Sequence, residues 1–153
     1  MHYVRRVLQP GENVVHATRM HWIIFLPAML WLAVALTLWI FGLSKDGDLR
    51  IGGEALAAIA LIFGMAAGAP AFIRWISTEL AVTDRRVIYK AGLISRHTLE
   101  MSRSKVESVD VDQTLLGRML SFGTITVRGT GGSLEPIRMV SDPLTFRSHI
   151  TAG

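Results

Sequence analysis

A helical hairpin that crosses a membrane twice, joined to a small mainly β barrel ending in a C-terminal helix, is the fold class this sequence predicts. Three observations predict it. Two long runs are almost free of charge, short alternating segments separated by turn residues fill the second half, and an amphipathic stretch closes the chain. The 153 residues are 50% hydrophobic and only 18% charged, with a mean hydropathy of +0.39. A soluble domain of this size has about a quarter of its residues charged. The net charge of +4 is evenly divided: residues 1–76 carry six Lys/Arg against four Asp/Glu, and residues 77–153 carry ten against eight. No block of like charge marks a nucleic-acid surface, and nucleic acid is not an expected partner. The absence of cysteine excludes disulfides, thiolate metal sites and cysteine nucleophiles.

Residues 1–21 read as a cytoplasmic N-terminal segment, in which 12–20 (ENVVHATRM) alternate as a strand does. From Trp22 to Leu43 the chain is uncharged (WIIFLPAMLWLAVALTLWIFGL). At a rise of about 1.5 Å per residue this run covers roughly 33 Å, enough for a hydrocarbon core of about 30 Å. Pro27 lies near one end, where a kink is tolerable. The run exceeds the roughly 7–15 apolar residues of a secretory signal, and a second run follows, so it is expected to remain as an anchor. Residues 55–76 (ALAAIALIFGMAAGAPAFIRWI) are uncharged except for Arg74. A soluble chain this small could not enclose two such helices on all sides. The hairpin is therefore assigned to residues 22–76.

Orientation follows from the basic residues. The connector, residues 44–54, holds Lys45 and Arg50; the other side holds Arg5, Arg6, Arg19, Arg74, Arg85, Arg86 and Lys90. The positive-inside rule then puts both termini in the cytoplasm and makes the chain a multi-pass membrane protein. Within the second run, Ala60, Gly64 and Gly68 have the small-xxx-small spacing that lets helix backbones approach. Their partner is either the first run of the same chain or a second copy.

Residues 77–153 read as the cytoplasmic β domain. Strands are expected at Glu79–Thr83, Arg86–Ala91, 93–101, Val106–Asp112, 124–129 and 134–140, with turns at Asp84-Arg85 and Gly92. Between the fourth and fifth strands, residues 114–123 (TLLGRMLSFG) set Leu115 four before Met119 and Leu116 four before Leu120, a short helix with one apolar face. Asp142 is placed to cap a final helix with Pro143 in its first turn, and Phe146 falls four before Ile150.

Nothing in this layout assembles a reactive site. The glycine-rich stretch ITVRGTGGSLEPI (125–137) leads into strand-like residues rather than a helix, and no Lys-Ser/Thr follows the glycines, so it reads as a hairpin turn rather than a phosphate cradle. His16 and His21 are five apart, His97 sits in an alternating strand, and no metal-ligand spacing occurs among the five histidines. Asp110 and Asp112 share a strand face, but Arg118 and Arg128 are close enough in sequence to neutralise them. There is no Gly-x-Ser-x-Gly elbow. No catalytic residue, cofactor or metal is expected, and the chain is not expected to be an enzyme.

Six strands and a terminal helix resemble a PH-type barrel. The stretches TDRRVIYKAGLISRHTLEM, SKVESVDVDQTLLGRMLSFGTITVRGTGG and VSDPLTFR together resemble the bacterial PH-domain membrane proteins called YdbS-like. The likeness covers roughly residues 79–150, and two preceding spans fit that family's layout. One departure is Ser102-Arg103, where the family more often has a proline and an apolar residue. The resemblance implies a PH-like barrel, normally of seven strands, so that residues 12–20 would supply the seventh. It also implies a membrane-tethered module without catalytic residues, able to work with a second PH-domain protein.

The expected role is interaction or scaffolding at the cytoplasmic face, with sheet edges, loops and the apolar helix residues Leu115, Leu116, Met119 and Leu120 as docking surfaces. Other membrane proteins, or a second copy, are the expected partners. The alternative is lipid or envelope-stress sensing, with anionic headgroups met by Arg74, Arg85, Arg86 and Lys90.

Overall fold

The computed structural model describes residues 2–93, 97–130, 132–133 and 136–152. They form two compact units: a helical pair, residues 22–73, and a sheet domain built from residues 1–21 together with 74–153. The sequence boundary at 76/77 moves three residues earlier because the last turn of the second long helix, Arg74 to Ser77, belongs with the sheet domain.

In the sheet domain, helix α1 (His2–Val7) and strand β1 (Val14–Thr18) precede the helical pair. After it come β2 (Glu79–Thr83), β3 (Arg86–Ala91), β4 (His97–Ser102), β5 (Val106–Asp112), helix α2 (Leu115–Met119), β6 (Phe122–Gly129), β7 (Gly132–Ser133), β8 (Ile137–Ser141) and helix α3 (Pro143–Thr151). The strand anticipated within 12–20 is β1. It runs antiparallel to β2 with Thr18 opposite Leu80 and Ala17 opposite Ala81. One sheet has the order β1-β2-β3-β4; in the other β6 lies between β5 on one side and β7 and β8 on the other. The two sheets meet where the Thr18 hydroxyl donates to the Ser141 carbonyl at 2.7 Å and Met20 bridges Val140. Part of the strand expected at 93–101, and the start of the one expected at 134–140, lie outside the described residues.

The core explains the period-2 patterning. Leu80, Val82 and Val87 from the first sheet meet Val109, Ile125, Val127, Ile137 and Val140 from the second. Phe146 and Ile150 of α3 plug the space between them, 1% and 4% exposed. Fully burying an aromatic or aliphatic side chain contributes about 1.5–3 kcal/mol each, so this plug is a principal stabiliser. Asp142 takes the N-cap position of α3, as expected, but in left-handed geometry (φ 46°) and without a side-chain capping bond.

Strand β2 is buried on both faces. Its even residues face the core. On the other face Ala81 and Ile88 pack with Val4 of α1, and the Glu79 carboxylate accepts from the Val4 N–H at 3.2 Å, near the start of that helix. Six residues are too few for a periodicity signal, and α1 was not expected from the sequence.

The helical pair comprises a 3-10 turn (Trp22–Phe25), helix α4 (Leu26–Leu43) and helix α5 (Asp48–Ser77); the labels continue the count begun in the sheet domain. Both helices are long and apolar enough to cross a membrane, and only 17% and 22% of their most apolar windows is buried. Most of each helix is exposed rather than enclosed by the rest of the chain. Pro27 lies in the first turn of α4, where its missing N–H costs nothing. The connector is shorter than the sequence suggests, because α5 begins at Asp48: the acidic residue favours a helix N-terminus, and an Arg50–Glu54 pair at 2.9 Å supports the added turns.

Ala60 is 3% exposed. A Cβ at Gly64 would stand 3.4 Å from the Trp31 Cβ, and one at Gly68 would stand 3.4 Å from the Ala28 Cβ. Those small residues thus face the other helix of the same chain. The closest approach lies elsewhere: a Cβ on Gly53 would come within 2.9 Å of the Gly42 Cα.

Candidate functional site

The four basic residues singled out in the sequence do not form one patch. Lys90 stands opposite Glu79 at the helix-proximal end of the β2–β3 hairpin, and its Nζ donates to the Ser77 carbonyl at 3.0 Å. Arg74 is exposed in the last turn of the preceding helix. Arg85 is exposed at the far turn of the hairpin. Five residues of extended chain at about 3.3 Å each put it roughly 16 Å from Lys90 along the strand. Closeness in sequence misled here because β3 runs back towards the helix and the turn faces away from it.

Arg86 is committed inside the domain. Its Nε and Nη2 donate to Glu12 Oε1 and Oε2 at 2.9 and 2.8 Å, Nη2 also donates to the Val7 carbonyl at 2.8 Å, and Nη1 pairs with Glu100. The Glu12 side chain is fully enclosed and also accepts from the Thr83 hydroxyl at 2.7 Å and the Gln9 N–H at 2.8 Å. Donation by Arg86 is the largest influence on Glu12. It outweighs the opposing effect of burial and, helped by Gln9 and Thr83, holds the carboxyl down to about 2. The Arg86 guanidinium is pushed up, first by the same bonds to Glu12. An arginine with this set of partners is a structural tie, and we correct its assignment as a lipid ligand. Glu12 was missed because it lies 74 residues away, beyond the helical pair.

Leu115, Leu116 and Met119 lie on one short helix, and Leu120 is the residue that ends it. Thr114 caps it by accepting from the Gly117 N–H at 3.1 Å. The four side chains are 79%, 64%, 80% and 40% exposed. They are not core residues.

The acidic cluster is solvated. Arg128 Nε pairs with Asp110 at 2.9 Å, both well exposed, and Asp112 and Glu107 are exposed. Such surface pairs contribute about 0–1 kcal/mol. His97 is exposed. His16 stacks on His149 with ring centroids 4.5 Å apart, an association hidden by their distance along the chain. Burial, then the His149 charge, lowers the His16 pKa against the pull of Asp142. Burial also lowers His21, opposed by Asp142 and by a hydrogen bond to the Leu120 carbonyl. Among the described residues no three His, Cys, Asp or Glu side chains gather as a metal site.

The glycine-rich stretch is a hairpin: Gly132 and Ser133 pair back onto Gly129 and Arg128, and Thr130 N–H donates to the Lys105 carbonyl at 3.1 Å. Gly131, Leu134 and Glu135 lie outside the described residues. Two hollows in the sheet domain, beside Arg118 and Leu144 and beside Arg19 and Thr78, measure about 160 and 200 Å³. Small-molecule sites usually span about 300–1,000 Å³. An open groove of about 580 Å³ along the helical pair, between Phe25, Met29, Leu32, Met65 and Phe72, has only apolar walls and no group to orient a substrate.

Two facing sheets plugged by a C-terminal helix, carried with a pair of long apolar helices, define a small PH-like module. The chain belongs to the bacterial PH domain family, whose model matches residues 22–152. The match begins at the first long helix, so α1, β1 and Glu12 precede it. No curated protein and no solved structure matches the chain significantly.

Proposed function

We propose that the chain is a non-catalytic protein of the bacterial inner membrane, a YdbS-like member of its family, which presents the sheet domain at the cytoplasmic face as an interaction or scaffolding module. The observation that carries this reading is topological. β1 precedes the first long helix, β2 follows the second, and the two are hydrogen-bonded neighbours. A chain whose two flanks share one sheet must return to the side it left, as two crossings of a bilayer require. The seven basic residues nearest the spans on that side, against two in the connector, favour the cytoplasm for it.

Docking by strand addition suits the sheet. Among the described residues β4 pairs with β3 alone, leaving its other edge open, and half of its residues are exposed, with none buried. An extended segment of another membrane protein can add to such an edge through main-chain hydrogen bonds. Confinement to the same membrane raises the effective concentration of that partner.

Two measurements test the reading. A single cysteine at Asp46 should react with an impermeant maleimide added outside spheroplasts, and one at Thr98 only after lysis; the opposite pattern overturns the topology. Photocrosslinking from β4 in native membranes should capture a discrete protein. A chain recovered only as an uncrosslinked monomer overturns the scaffold role.

A further inference from the structure

We propose that the end of the sheet domain formed by α2 and the neighbouring part of β8 around Met139 is a membrane-seated wedge, with Leu115, Leu116 and Met119 lying among the headgroups and upper acyl chains of the adjoining leaflet. This rests on the membrane reading above and adds a second, shallow contact to it.

The first support is where the chain leaves the domain. Residues 18–21 are strapped to β8: Ser141 N–H donates to the Arg19 carbonyl at 3.0 Å, Met20 bridges Val140, and His21 N–H donates to the Met139 carbonyl at 2.6 Å. The His21 ring stacks on Phe122 with centroids 5.3 Å apart and hydrogen-bonds the Leu120 carbonyl. Trp22, the next residue, opens the 22-residue apolar run. The last residue before the first span therefore touches the end of α2 directly. A hydrogen-bonded strap, unlike a loose linker, keeps α2 close to His21, the residue that directly precedes the apolar run.

The second support is the helix itself. Thr114 caps it, and Gly117 is buried so tightly that a Cβ there would lie 2.7 Å from the Phe122 carbonyl oxygen. The helix is pinned by its glycine face, which leaves the leucines and methionine directed outward. Leu144 (57% exposed) and Met139 (38%) extend the apolar surface. Exposed Arg19, Arg118 and Arg138 lie on the elements at this end, against exposed Asp112 and Asp142. An apolar tip with a net basic rim matches an interface of acyl chains beneath anionic headgroups. A five-residue helix presents far less than the about 800 Å² per partner that a stable protein interface buries. A leaflet sets no such minimum, because the two long helices already hold the chain there.

The test uses the full-length chain in phosphatidylethanolamine–phosphatidylglycerol vesicles. With no native cysteine, Leu116→Cys, Met119→Cys, Thr98→Cys and Leu36→Cys each accept one environment-sensitive fluorophore. Labels at 116 and 119 should emit to the blue of the label at 98, be quenched by a nitroxide near the headgroup, and be several-fold less quenched by aqueous iodide. If 119 is as open to iodide as 98 while 36 is quenched by lipid nitroxides, the wedge is wrong and the membrane reading stands. If 36 escapes lipid quenchers, both fail. Shielding of 119 from iodide without lipid quenching, lost when the protein is diluted into more lipid, would assign the surface to a second copy and overturn the wedge.

Discussion

Arg86 holds Glu12 by two hydrogen bonds, Nε to Oε1 at 2.9 Å and Nη2 to Oε2 at 2.8 Å, across 74 residues of sequence. The pair ties the segment before the helical pair to a strand after it. Breaking a buried pair is costly because the remaining charge stays enclosed. Glu12→Ala should lower the unfolding free energy of the sheet domain by about 3 kcal/mol, read as a lower urea midpoint in pulse proteolysis. Glu12→Met with Arg86→Met should recover part of that loss, since neither charge is then stranded. Equal midpoints for Glu12→Ala and the parent chain would show that the tie contributes nothing.

The same carboxyl gives the domain an acid sensitivity. Its folded-state value of about 2 lies below the ordinary value of 4.5, so between these the unfolded chain binds the proton more tightly. Stability is present above about pH 4.5 and falls as pH drops towards 2, with a full loss near 3 kcal/mol at about 1.4 kcal/mol per unit. His16, also lowered, starts the decline nearer its ordinary range of about 6.5. Urea midpoints at pH 7, 5 and 3 should fall stepwise. In Glu12→Gln the step from 5 to 3 should shrink.

Phe146 is the plug between the two sheets. Phe146→Ala should cost about 3–5 kcal/mol, and amides of β2 and β6 should lose hydrogen-exchange protection together. If exchange quickened only in α3, the helix would be a lid rather than a part of the core.

Gly42 and Gly53 make the tightest contact of the helical pair, whereas a Cβ at Gly52 meets nothing within 4 Å. Gly53→Val should separate the helices and Gly52→Val should not. The reporter is an Ala28→Cys, Gly68→Cys pair, whose Cβ atoms would lie close enough for a disulfide. Oxidation should be slowed by Gly53→Val alone; equal rates in both variants would discount the contact.

Much of the architecture was legible because it rests on period and composition. The uncharged runs, the alternating strands and the Phe146/Ile150 face of the last helix follow from side chains that must avoid or meet water. What was not legible depends on pairing at a distance. Arg86 is indistinguishable from Arg85 in sequence, yet strand alternation points one at Glu12 and leaves the other exposed. The connector looked like a loop because Gly52-Gly53 suggests a break, when Gly53 is there to let Gly42 approach. Arg103, the departure noted beside Ser102, donates to the carbonyls of His149 and Ile150 at 2.9 and 3.1 Å and so ties down the end of the last helix.

β1 ends at Thr18 and its partner β2 begins at Glu79. Translation thus makes one strand of this pair early and withholds the other until both greasy segments have left the ribosome. Until then β1 is a sticky ribbon with unpaired amides. A chain truncated or threaded wrongly in between never hides that ribbon, so faulty copies advertise themselves to chaperones and proteases, and correct biogenesis ends when the seam closes.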